Sequence, residues 1–225
     1  MAERILDLQH YLFVVDERPV CVWDKSIYNR NEKFLKSIDP SYFEYLCRVH
    51  SQAIDTDREE TNSEEQHAAL ALRTTYSQAL ETLFALIFAS IQAPGCIPAW
   101  INAYKNHELK NLVRKVQEEE LVISTLDAEK PSWSDIYDSI FPLSNMSDSE
   151  HSTSIKNGFT KAWRYFCYDF LSDSSAREYN SIKHGLRVSS GGFKMQIRGF
   201  CTTPQKGIVH FNTPKTHTER ERSSC

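Results

Sequence analysis

Residues 64–92 read EEQHAALALRTTYSQALETLFALIFASIQ, and this stretch decides the fold. Leu72, Tyr76, Leu80, Leu83, Ile87 and Ile91 recur at intervals of three and four, the spacing that lines side chains along one face of an α-helix. From Ala79 onward the run is apolar nearly all round, so this helix must be covered by neighbours on several sides. It is therefore the central helix of a mainly helical protein. Ser63 and the glutamates after it supply an N-terminal cap, and Ala93-Pro94-Gly95 ends the helix. Arg73, Ser77 and Glu81, at steps of four, draw a polar line along one flank that faces either a polar site on a later helix or solvent. Glu81 is the more informative of the three, because a charge entering apolar surroundings needs a partner.

Downstream, a short helix is expected over Pro98–Tyr104 and an amphipathic one over about His107–Glu119. Leu109, Leu112, Val113 and Val116 make the apolar stripe of the second. Lys110, Arg114 and Lys115 on its other face read as solvated charges, with phosphate contact as the lesser alternative. Ser132 and Ser134 mark a helix start before Ile136, and 144–154 is a polar loop in which His151 reads as a surface histidine. From Ser154 to Leu171, Ile155, Phe159, Trp163, Phe166 and Phe170 recur at helical spacing and read as core. The alternative, bases stacking on these rings between Lys156, Lys161 and Arg164, is the less favoured.

Upstream, helices are expected over Asn31–Ile38 and Ser41–Val49, broken at Asp39-Pro40. Their aromatics Phe34, Tyr42, Phe43 and Tyr45 are expected in the core. Tyr11–Val15 and Val20–Trp23 flank a turn-prone Asp16–Pro19 and form either a hairpin or an apolar arm packed on the helices. Residues 55–65 read as an acidic, solvated linker. Phe193–Phe200 alternates like a strand, and 201–225 is a polar tail expected to be disordered. The organisation expected is thus a β-like arm over 1–30, a helical bundle over 31–188, a short strand within 189–200 and the tail.

With 225 residues, 40% of them hydrophobic, the chain can bury a full core. A net charge of −4 argues against a protein that coats nucleic acid by charge alone. The six cysteines lie scattered, with no C-x-x-C pair and no His/Cys cluster at zinc spacing, and read as reduced thiols. The N-terminus lacks the apolar core of a signal peptide, and Ala79–Ile91 is too short to cross a bilayer. A soluble cytoplasmic protein without metal or cofactor is the consistent expectation.

The residues best suited to chemistry lie in Ala176–Val188, AREYNSIKHGLRV. On a helix, Arg177, Asn180 and His184 stand at i, i+3 and i+7 and share a face. An imidazole near neutral pKa beside a guanidinium suits phosphodiester chemistry: the ring moves a proton while the guanidinium holds a non-bridging oxygen. On RNA the 2′-hydroxyl is an internal nucleophile and no metal is required. The opposing reading of His184 is a capping or core histidine near a helix C-terminus.

This pattern, Arg177-x6-His184 on a late helix behind a long apolar helix carrying an acidic residue, resembles the HEPN superfamily over about residues 64–188. The resemblance implies a mainly α fold, a HEPN-like bundle, here with small β-hairpin or strand appendages. It also implies pairing of two copies as a homodimer, and a metal-independent endoribonuclease or RNA-binding relative of the kind found in toxin–antitoxin and phage-defence systems. His184 would then be the acid/base, Arg177 the phosphate and transition-state binder and Asn180 the orienting group. Lys183, Arg187, Tyr179, Glu81 and Arg73 would complete the substrate contacts. Glu178 follows the arginine where the family has Asn, Asp or His, so either Asn180 takes that role in a displaced register or Arg177 is a surface residue. From a different class, the same residues would serve a non-catalytic helical module that binds an antitoxin or other protein partner.

Overall fold

The computed structural model describes residues 11–54, 62–120, 130–142 and 150–172, together with Arg177, Tyr179 and Ser181. Within them the chain is mainly helical with one two-stranded antiparallel hairpin. The hairpin is β1 (Tyr11–Val15) and β2 (Arg18–Val22). The helices are α1 (Lys25–Asn29), α2 (Asn31–Ser37), α3 (Ser41–Gln52), α4 (Ser63–Gln92), α5 (Ile97–Ala103), α6 (Asn106–Gln117), α7 (Trp133–Ile140) and α8 (Glu150–Leu171). Most of the expected acidic linker, the loop residues 143–149, the strand at 193–200 and the tail lie outside the described residues.

The central helix is α4, thirty residues long. Its cap is Asn62, one residue before the expected Ser63, because the extended backbone needed at that position falls on Asn62 (φ −81°, ψ 171°). The Asn62 side chain accepts from the Glu65 N–H at 2.8 Å, and Glu65 Oε2 accepts from the Asn62 N–H at 3.0 Å, a reciprocal box that satisfies two helix-end donors. Toward the other end Leu80, Phe84, Ala85, Ile87, Phe88, Ala89 and Ile91 are all buried, covering more than half of the helix's circumference. β1, α3, α5, α6, α7 and α8 pack around it. Phe84 centres the aromatic core, its ring 5.7 Å from Trp133 and 5.0 Å from Phe170. The expected stripe of α6, Leu109, Leu112, Val113 and Val116, is buried throughout.

The N-terminal segment is both a hairpin and a packed arm. Val15 pairs with Arg18, so Asp16 and Glu17 alone make the turn, and Asp16 takes a left-handed backbone (φ 55°) that Asp tolerates better than most residues. β1 alternates as a half-covered strand should: Phe13 and Val15 are buried while Leu12 is exposed. The turn is clasped onto α6. Lys115 donates to Asp16 at 2.8 Å and to Glu17 at 2.7 Å, Asn111 donates to Asp16 at 2.8 Å, and Arg18 forks onto Glu108 at 3.1 and 3.3 Å. Lys115 is thus not the solvated charge expected of it; its side chain is 12% exposed. Helical spacing placed it opposite the apolar stripe, but the hairpin, distant in sequence, covers that flank.

Two other expectations give way. Tyr42 and Tyr45 on α3 stand 56% and 53% exposed rather than in the core, because α3 meets only α4 closely and buries no residue fully. The α8 stripe is core only at its C-terminal end, where Trp163 and Phe170 are buried, and Ile155 and Phe159 remain open at the other. There Phe159 joins a half-open cluster with Tyr137 and Phe141 at the exit of α7. Among the described residues Cys21, Cys47, Cys96 and Cys167 are unpaired, and no helix is long and apolar enough to cross a membrane.

Truncating the centre of the core, Phe84→Ala, is expected to cost about 3–5 kcal/mol in urea denaturation, the range for a large aromatic leaving a cavity. The hairpin clasp predicts an acid-sensitive component. Burial works to raise the Glu108 pKa, but the Arg18 guanidinium and the Lys105 N–H bound to the carboxylate outweigh it and hold the group below its usual 4.5. Its contribution is present above that value and is lost as pH falls through the lower folded one. The melting temperature of Glu108→Gln should therefore fall less steeply than that of the parent between about pH 5 and 3.

Candidate functional site

The polar line of α4 opens into a cleft. Arg73, Ser77 and Glu81 border it together with Tyr76, Asn106 and Lys110 of α6, Asp169 and Phe170 of α8, and Tyr179 from the AREYNSIKHGLRV stretch. Helical spacing on α4 repeats a polar side chain every fourth position. The close packing of α6 and α8 against the apolar flank then brings their polar edges alongside it.

The walls are tied by specific contacts. Tyr76 donates its hydroxyl to Asp169 Oδ2 at 2.6 Å, a charge-assisted bond between α4 and α8. Tyr104 donates to Glu81 Oε1 at 3.2 Å, and the Lys110 ammonium lies 5.8 Å from the centre of the Phe170 ring. Tyr179 shares a hydrogen bond with the Gln78 side chain.

The phenols are pushed away from ionisation. Burial raises the pKa of Tyr76 far above its normal 10, the bound Asp169 carboxylate adds to this, and Arg73 opposes it. Burial and the Glu81 charge push Tyr104 up to about 12, and the same two causes raise Tyr179. At neutral pH all three are protonated; Tyr76 and Tyr104 donate to their carboxylates, while the Gln78 bond works to lower the Tyr179 value, as an amide N–H donated to the phenol oxygen does.

The cleft therefore presents phenol donors, two carboxylates and two cationic side chains in a small space. Its volume, about 50 Å³, suits a few waters or one small polar group and not a nucleobase. It can hold and orient a charged or strongly polar group. Three His, Cys, Asp or Glu side chains do not come together among the described residues as a metal site would need.

Of the candidate residues from the sequence, Arg73, Glu81 and Tyr179 line this one cleft. Arg177 is described as exposed and is not among the lining residues. His184, Asn180, Lys183 and Arg187 lie outside the described residues. Sequence reasoning passed over Tyr76, which its spacing assigned to the core, and Asp169. The signal for Asp169 was present: a carboxylate inside FCYDFL, residues 166–171, is a charge in an apolar run and calls for a partner. Lys110 was assigned to solvent, yet it lines the cleft.

No family model matches the chain, and neither does any curated protein or solved structure.

Proposed function

We propose that the chain is a HEPN-like RNA-processing protein, a metal-independent endoribonuclease or an RNA-binding relative. It would act as a homodimer in the cytoplasm, in a toxin–antitoxin or phage-defence setting. The observation that carries the reading is the position of Tyr179. This residue, two after Arg177 and five before His184 in sequence, lines the same cleft as Arg73 and Glu81 of α4 and Lys110 of α6. One residue of the Arg–His stretch thus shares a surface with the polar residues of the long helix.

In this reading the cleft anchors a polar group of the RNA backbone while His184 and Arg177 act on the scissile phosphate. The imidazole takes the 2′-hydroxyl proton as that oxygen attacks phosphorus. The P–O5′ bond breaks to leave a 2′,3′-cyclic phosphate, the imidazolium returns its proton to the departing 5′-oxygen, and Arg177 balances the charge that grows on the non-bridging oxygens. Asn180 orients the phosphate, and Lys183 and Arg187 hold its neighbours. A second reading, a non-catalytic protein-interaction module, is favoured by a different observation: Tyr42, Tyr45 and Val49, at i, i+3 and i+7 on α3, stand exposed as a stripe.

Purified protein incubated with labelled RNA in the presence of a chelator should cleave it. His184→Ala and Arg177→Ala should each lower the rate about 100-fold or more while leaving the circular dichroism spectrum unchanged. Cleavage that persists in His184→Ala would overturn the catalytic assignment. Absence of both cleavage and salt-dependent RNA binding would leave the interaction module.

A further inference from the structure

A second cleft lies on the opposite side of Glu81, between α3, α4 and the end of α5. It is an open groove of about 280 Å³, and Tyr42, Phe43, Gln78, Thr82 and Tyr104 line it with Glu81. Its makeup differs from that of the first cleft. Three aromatic residues and one charged residue line it, and that charge is negative.

The rings are positioned by their own contacts. Tyr104 stacks on buried Trp100 with centroids 5.2 Å apart and planes 21° from parallel, and its hydroxyl is tethered to Glu81. Tyr42 and Phe43 meet edge to face at 5.5 Å. Glu81 is half-buried and, among the described residues, takes its one hydrogen bond from Tyr104 and pairs with no cation. A half-buried carboxylate beside aromatic surface, tied to one phenol and without an ion pair among the described residues, favours a cation on that side. Aromatic ring faces attract the same kind of ligand through their quadrupoles, most strongly a soft, weakly hydrated ammonium.

We propose that this cleft binds a small organic cation, an alkylated ammonium group seated among Tyr42, Phe43 and Tyr104 with Glu81 as its counter-charge. Lining without a cationic side chain disfavours an anion, and the cleft's size suits a headgroup rather than a folded partner. The site is independent of the RNA reading, since its ligand carries the opposite charge and meets different residues apart from Glu81.

The full-length protein should be titrated by calorimetry with choline and, in parallel, with 3,3-dimethylbutanol, its neutral carbon isostere. Choline should bind saturably and at least about tenfold more tightly than the isostere. Glu81→Gln and Tyr42→Ala should each weaken choline by a similar factor with unchanged circular dichroism, and Tyr42→Phe should retain it. Tyr42 is exposed enough that its truncation leaves the fold intact. No saturable choline binding, equal affinity for the isostere, or binding indifferent to Glu81→Gln would each overturn the proposal.

Discussion

The second half of α4 is apolar over most of its circumference, and the remainder of the structure answers that constraint. Such a helix is unstable unless those sides are covered, so folding must bring α5, α6, α7, α8 and β1 to it together. The most demanding junction is at its C-terminal end. Gln92 is buried there, and its Oε1 accepts from Trp100 Nε1 at 2.9 Å, while the same indole N–H reaches the Val14 carbonyl at 3.1 Å. One donor thus joins the central helix, the helix that follows it and the hairpin. The other end of the same amide, Nε2, finds no partner among the described residues, so within them the junction is held by shape and by a shared proton rather than by full polar satisfaction.

Much of this frame was legible in the chain because its signals are local. The three-and-four spacing of α4 and α6, the proline break before α3 and the Ala93-Pro94-Gly95 stop are each set within a turn or two of helix. What was not legible depends on contacts between distant segments. Nothing near Lys115 announces that the Asp16-Glu17 turn, 98 and 99 residues away, will cover it. Nor does the sequence of α3 reveal that only α4 will approach it, which is why Tyr42 and Tyr45 looked like core residues. In both cases a local pattern could not say which distant segment, if any, would cover the side chain.

The candidate site divides in the same way. A polar residue every fourth position on α4 is visible by inspection, and Glu81 stands out because its surroundings turn apolar. The Tyr76–Asp169 bond is not visible, since it joins residues 93 apart and one of them occupies a position that helical spacing assigns to the core. A tyrosine can satisfy both roles, its ring packed inward and its hydroxyl reaching the edge of the core, and hydrophobic periodicity reads only the ring.

Glu81 belongs to the rim of both clefts, and its carboxylate is therefore common to two compartments on either flank of one helix. Charge introduced on one flank alters the potential on the other across a few atoms of low-dielectric protein. Neutralising the carboxylate from the α3 side would make the α8 side more hospitable to anions, and an anion settled there would strengthen the hold on the cation by the same factor. Reciprocity of this kind needs no moving part: a rigid helix carrying one shared charge is enough to make the two flanks communicate.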